Sequence, residues 1–287
     1  MVRLPNAFTA PSNVLAGYFA TTLPGEANGL HLAALMVSSG LLYIAGIALN
    51  DYFDIEIDRK ERPSRPLPSG SVPKRHALAI AIAALAAATA IASAAGPASL
   101  AVSLALTGAI IVYDYRLKHT IAGPFAMGGS RLLNVILGAS PAIPAALLAG
   151  NIASLGVAVF AAASLFVYVV AITVLSKKEV GSVKPSPLPF SIVFATIASV
   201  ATIGLLMNLQ LAFLLNVSIL AVVMVVTFKR YMSRDAPCVQ KAVRNMVISI
   251  VILDSVFVSG TAGLPYGLAA LLFIAPAVIL AKKLYVT

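Results

Sequence analysis

Apolar runs of about 17 to 25 residues recur along the whole 287-residue chain, each long enough for a helix to cross a bilayer's hydrocarbon core. Sixty per cent of the residues are hydrophobic and 10% are charged, whereas a soluble domain carries about a quarter of charged residues. The mean hydropathy is +0.97. No alternating apolar–polar pattern recurs, which argues against a β-barrel. The expectation is an all-α polytopic integral membrane protein with nine or ten transmembrane helices. Ten candidate spans fall at about 7–23, 29–49, 76–95, 98–113, 123–147, 152–175, 188–207, 210–228, 240–259 and 264–281. Pro5 and Pro11 interrupt the start, so the first run is expected to remain as a span rather than act as a cleavable leader.

The connections alternate in character. One set is short and nearly uncharged: Pro24 to Leu30, Gly96–Pro97, Gly150–Asn151, Asn208–Leu209 and Gly260 to Gly263. The other set carries Arg59, Lys60, Arg62, Arg65, Lys74, Arg75, Arg116, Lys118, Lys177, Lys178, Lys184, Lys229, Arg230, Arg234, Lys241, Arg244, Lys282 and Lys283. The positive-inside rule puts that set and both termini in the cytoplasm, in a cell inner membrane. The net charge of +10 is therefore read as topology and not as a nucleic-acid footprint. The single Cys238 allows no intramolecular disulfide. His31, His76 and His119 stand at no ligand spacing, which argues against zinc. Polar loops after the second, fourth and sixth spans suggest a bundle closing over one central cavity.

Acidic residues gather in the first of those loops, Ala48 to Gly70. If the preceding helix runs on, 100° per residue sets Asp51, Asp54 and Asp58 within about 60° of one another. Three carboxylates on one face repel each other unless cations sit among them. The alternatives are a solvated helix end and a divalent-cation site. Arg131, about two turns inside the fifth span, is costly if exposed to lipid; it faces a cavity or snorkels to the surface. Asn134 shares its helix face. Asp254 in the ninth span is either hydrogen-bonded structurally or part of a pocket wall. Pro141 and Pro144 should kink the fifth span.

The loop reads N-D-x-x-D-x-x-x-D-R followed by R-P-x-R-P-L-P-S-G from Arg62 to Gly70. This pattern at the end of a second span resembles the first aspartate-rich motif of the UbiA superfamily of intramembrane prenyltransferases. The resemblance covers nearly the whole chain and implies one UbiA-like domain over residues 1–287. It implies Mg²⁺ held by Asp51, Asp54 and Asp58, which are also the catalytic candidates, with Asn50 assisting and Arg59 and Arg65 reaching phosphate oxygens. The implied partners are a prenyl diphosphate, an apolar or aromatic acceptor, and membrane lipid, with no nucleic acid. In the second loop, V-Y-D-Y-R-L-K-H-T, Tyr113 and Thr120 match the family; its lysine position is Leu117, and Lys118 comes one residue late. Tyr113, Arg116 and Lys118 are expected at the diphosphate, with Asp114 orienting a cation or joining the metal. Asn134 with Gly138 resembles the family's Asn-x-x-x-Gly, and Arg131 and Asn134 are expected to face the cavity.

The third loop, L-S-K-K-E-V-G-S-V-K from Leu175 to Lys184, lacks the family's second aspartate-rich motif. Glu179 alone can ligate a metal there. Lys177 and Lys178 either replace a second cation at the phosphates or mark a fold that only holds a lipid. Together with Gly-Pro-x-x-Met-Gly-x-x-Arg at Gly123 to Arg131 and the Tyr113–Asp114 pair, this loop is similar to the EboC-like branch, linked with exported or prenyl-derived metabolites. Two functions follow as expectations: Mg²⁺-dependent prenyl transfer within the membrane, or a non-catalytic lipid-binding or metabolite-export-associated protein on the same scaffold.

Overall fold

The computed structural model describes residues 7–177, 186–232 and 238–284. Every regular element among them is helical. In chain order these are α1 (Thr9–Phe19), α2 (Gly29–Phe53), α3 (Ile55–Glu61), α4 (Lys74–Ser93), α5 (Pro97–Val112), α6 (Gly123–Ala139) and α7 (Ile143–Leu148). They continue with α8 (Gly156–Ser176), α9 (Leu188–Leu206), α10 (Phe213–Met232), α11 (Cys238–Ile248), α12 (Ile250–Ala262), α13 (Leu264–Ala270) and α14 (Ile274–Leu284).

Eight helical stretches among the described residues are long and apolar enough to cross a membrane. That is fewer than the nine or ten expected, and the two candidate spans that differ lie at the ends. α1 has 11 residues and rises only about 16 Å, half a hydrocarbon core. Its Thr9, Ser12, Asn13, Tyr18 and Phe19 are buried, so it is an internal helix and not a lipid-facing span. The last expected span is a shorter apolar stretch, Leu264–Ile279, split by a 3₁₀ turn at Leu271–Phe273. The proline kink occurs as expected: α6 ends at Ala139, Ser140–Ala142 forms a 3₁₀ turn, and α7 resumes the path. Each proline removes a backbone donor and obstructs the preceding turn.

Close approach is made by small residues. Ala77, Ala81, Ala84, Ala88 and Ala92 form one buried stripe on α4, which packs along α2. α1 and α6 cross more closely still: a Cβ on Gly17 would sit 1.8 Å from the Val135 carbonyl oxygen, and one on Gly138 would sit 2.1 Å from that of Val14. Only glycine allows backbones so near. The stretch Val239–Ala262 is the most deeply buried of the eight. α12 packs against α1, α10 and α13, and with α1, α6 and α8 it sets the frame around the functional site.

Candidate functional site

A cavity of about 460 Å³ opens among the helices, within the range of small-molecule sites. Its walls are largely apolar, including Leu42, Ile47, Leu106, Ile110, Val169 and Ile172. Polar groups enter at two levels. Asn50, Tyr113, Asp114, Lys118 and Lys177 line it beside the charged loops; Ser39, Tyr43, Arg131 and Asn134 line it further in.

The outer level follows from the helical path of the aspartate-rich stretch. α2 ends at Phe53 and α3 begins at Ile55, so the expected continuous helix is interrupted at Asp54. Backbone bonds from Asp54 to Asn50 (3.0 Å) and from Asp58 to Asp54 (2.8 Å) still carry the helical spacing through. Asp51 and Asp58, nearly two turns apart, therefore stay on one face and share Arg65. Its Nη1 lies 2.6 Å from Asp58 Oδ2 and 3.8 Å from Asp51 Oδ1. Asp54 is turned to one side and meets a different cation: Lys118 Nζ donates to its Oδ2 at 2.5 Å, and His119 Nε2 lies 3.5 Å from Oδ1. The three carboxylates are thus kept from repelling one another by basic side chains. Among the described residues, no three His, Cys, Asp or Glu side chains stand together as a ready metal cage. None of the three aspartates lines the cavity itself; Asp54 reaches it through Lys118.

The lysine that came one residue late is explained by the backbone. Tyr113–Leu117 forms a π turn, in which the Lys118 N–H donates to the Tyr113 carbonyl at 2.9 Å. A π turn accommodates one extra residue, so Lys118 takes the place that an α-helix would give residue 117. Asp114 is buried and accepts from Asn50 Nδ2 at 3.1 Å, joining α2 to this turn. Lys177 Nζ donates to the Thr120 carbonyl at 2.5 Å, which brings the end of α8 over the same loop.

Other expected residues fall elsewhere. Arg59 pairs with Glu56 at 2.7 Å on an exposed face. Arg116 is exposed and lies over the Tyr115 ring, 5.8 Å from its centroid. Neither lines the cavity. Lys178 and Glu179 lie outside the described residues.

At the inner level, Arg131 is nearly buried and faces the cavity, as does Asn134. The guanidinium lies 5.2 Å over the Tyr43 ring and donates to Asn13 Oδ1 at 3.0 Å. Asn134 Nδ2 donates to the Ala10 carbonyl at 2.8 Å, and Asn134 Oδ1 accepts from Ser39 at 2.7 Å.

The UbiA prenyltransferase family model matches residues 11–251. The chain belongs to the UbiA prenyltransferase family. A digeranylgeranylglyceryl phosphate synthase from Ignicoccus hospitalis is 34% identical over 143 residues, 48% of this chain and 45% of that protein. One from Metallosphaera sedula is 32% identical over 143 residues, 48% and 49% of the two chains. The matched region thus spans about half the length of these curated relatives. A UbiA homologue from Aeropyrum pernix K1 has the same fold at a TM-score of 0.69 and 17% identity, covering 88% of this chain and 96% of that one. A UbiA homologue from Archaeoglobus fulgidus bound to GPP and Mg²⁺ is similar at a TM-score of 0.50 and 18% identity, covering 98% of each chain.

In this UbiA-family protein, a multi-pass membrane protein, several site residues had no signal in the sequence reading. His119 stands at no ligand spacing in the sequence, and no motif there singles out Tyr43, Ser39, Ser12 or Asn13. The one available cue for the last two was their position in a run too short and too polar to face lipid.

Proposed function

We propose that the protein transfers an isoprenoid chain from a prenyl diphosphate to an acceptor within the membrane, with Mg²⁺. The observation that carries this reading is an apolar cavity among membrane-crossing helices, lined where it meets the charged loops by the Asp114 carboxylate, the Asn50 amide, Lys118 and Lys177, with Asp54 held behind Lys118. The side chains there fit Mg²⁺ by donor chemistry. Asp51, Asp54, Asp58 and Asn50 offer hard oxygens, and Mg²⁺ is usually held by one or two carboxylates together with substrate phosphates, not by a protein-only cage. Glu179 and Lys178 belong to this proposal by sequence alone. When bound, Mg²⁺ neutralises charge that builds on the departing pyrophosphate.

The chain's own residues do the rest. A prenyl diphosphate arrives with about three negative charges, and Lys118, Lys177 and Arg65 supply the charge-assisted bonds that hold it. Lys118 leaving Asp54 for a phosphate oxygen frees that carboxylate for the cation. The allylic carbon–oxygen bond breaks with its electron pair leaving on pyrophosphate. The acceptor's nucleophile then gives an electron pair to that carbon and loses its proton. Apolar walls keep water from the allylic cation. The charged loops are assigned to the cytoplasm of a cell inner membrane, on their basic-residue asymmetry.

For the acceptor, Arg131 favours a molecule with an anionic group over a purely apolar one. The relatives' name, digeranylgeranylglyceryl phosphate synthase, suggests a probe: geranylgeranylglyceryl phosphate, that product less one chain. Purified protein given Mg²⁺, geranylgeranyl diphosphate and this acceptor should release pyrophosphate. Asp54→Ala and Asp58→Ala should each lower turnover about a hundredfold; turnover equal to wild type in both overturns the mechanism. An intact bound isoprenoid with no turnover, insensitive to chelator, would instead support the lipid-binding reading attached to the EboC-like resemblance.

A further inference from the structure

Asp254 on α12 is buried within a membrane-crossing stretch and belongs to no part of the mechanism above. Its Oδ2 accepts from Ser12 Oγ at 2.5 Å and from Asn13 Nδ2 at 2.7 Å. With its amide NH₂ directed to the carboxylate, Asn13 turns Oδ1 the other way. That oxygen accepts from Arg131 Nη1 at 3.0 Å and from Asn134 Nδ2 at 3.3 Å. An ionised carboxylate only accepts and a guanidinium only donates, so an amide between them has one allowed orientation. Asn13 is an adapter that joins the two charged groups without direct contact.

The geometry separates the two ends of this chain of bonds. Arg131 lines the cavity and Asp254 does not. Arg131 lies over Tyr43, two turns of α2 further in than Asn50, about 10 Å at 1.5 Å per residue. An anion held there is not the diphosphate at the mouth. One guanidinium N–H is engaged by Asn13 and the Tyr43 ring lies 5.2 Å away, so the group is restrained from two sides where it lines the cavity. A buried carboxylate in a membrane span is costly, and a hydrogen-bonded network in low dielectric orients its members strongly.

We infer that Asp254 is a positioning residue for the acceptor: acting through Asn13, it holds the Arg131 guanidinium in the plane in which Arg131 receives the acceptor's anionic group. The inference rests on the prenyl-transfer reading. It is tested with Asp254→Asn, which keeps the side chain's size but can donate as well as accept, and so no longer imposes one orientation on the Asn13 amide. Dissociation constants are measured without turnover for two probes, geranylgeranylglyceryl phosphate and geranylgeranyl diphosphate. The expected result is about a tenfold loss for the first probe and less than about a twofold change for the second, with an unchanged melting temperature. Asn13→Ala should give the same selective loss. In an Arg131→Gln background, Asp254→Asn should add less than about twofold, because the two act as one unit.

Equal loss for both probes with a lowered melting temperature, an unchanged acceptor affinity, or additivity with Arg131→Gln overturns the inference. So does loss of folded protein in both single variants. A wild-type protein that binds neither probe refutes the prenyl-transfer reading itself, and is thereby distinguished from failure of the positioning role.

Discussion

Lys118 has two roles that compete. In the structure it neutralises Asp54 at 2.5 Å, both side chains largely shielded from solvent; in the reaction proposed here it moves to phosphate. Removing it deletes a charge-assisted bond to the donor, so Lys118→Ala should raise KM for geranylgeranyl diphosphate about tenfold or more. Steady-state kinetics at saturating acceptor would read this, and an unchanged KM would remove Lys118 from the donor site. The residue was legible only in part. The resemblance of the loop to the family's pattern implied a lysine at the diphosphate, but the π turn that moves it by one position leaves no mark in Tyr113 to Leu117. The Asp51 and Asp58 pairing was implied by helical spacing. Which cation each carboxylate meets depended on Arg65 and Lys118 arriving from separate segments, and local periodicity carries no such information.

At the scale of the element, the α1–α6 crossing holds Asn13 against Arg131, and two glycines make it possible. A methyl group at residue 138 would meet the Val14 backbone, which cannot move aside as a flexible side chain can. Gly138→Ala should therefore destabilise by about 1–3 kcal/mol or more and lower the melting temperature of the solubilised protein. Gly129→Ala, on the same helix with nothing within 4 Å of the added carbon, is the matched control and should be close to neutral. Equal melting temperatures for the two variants would refute the close crossing. The sequence showed α6 well, through its starting Gly123–Pro124 and its kink at Pro141. α1 was misjudged in length because an apolar run buried by protein and one facing lipid have similar composition. What separates them is the density of Ser and Asn, and its meaning emerges only when Asp254 is found opposite.

For the whole molecule, the recurring apolar runs made the fold class readable without coordinates, and the alternation of charged and uncharged connections carries the expectation for the sidedness of the loops. The cavity was not readable, because its walls come from helices far apart in the chain. Sidedness can be tested directly. In a Cys238→Ser background, Ser71→Cys should react with a membrane-impermeant maleimide only from the cytoplasmic face, and Ser154→Cys only from the opposite one; both serines are exposed. Labelling of both from one face would overturn the assigned orientation.

The brevity and polarity of α1 bear on how the chain is assembled. A segment rising about 16 Å, with Ser12 and Asn13 on it, gains too little from lipid to enter a bilayer by itself. Its hydrogen-bonding partners on α6 and α12 are synthesised long after it. The bonds of Ser12 and Asn13 to α6 and α12 can therefore form only after the carboxyl-terminal half has been made, so that α1 is locked in place by the last part of the bundle to be completed.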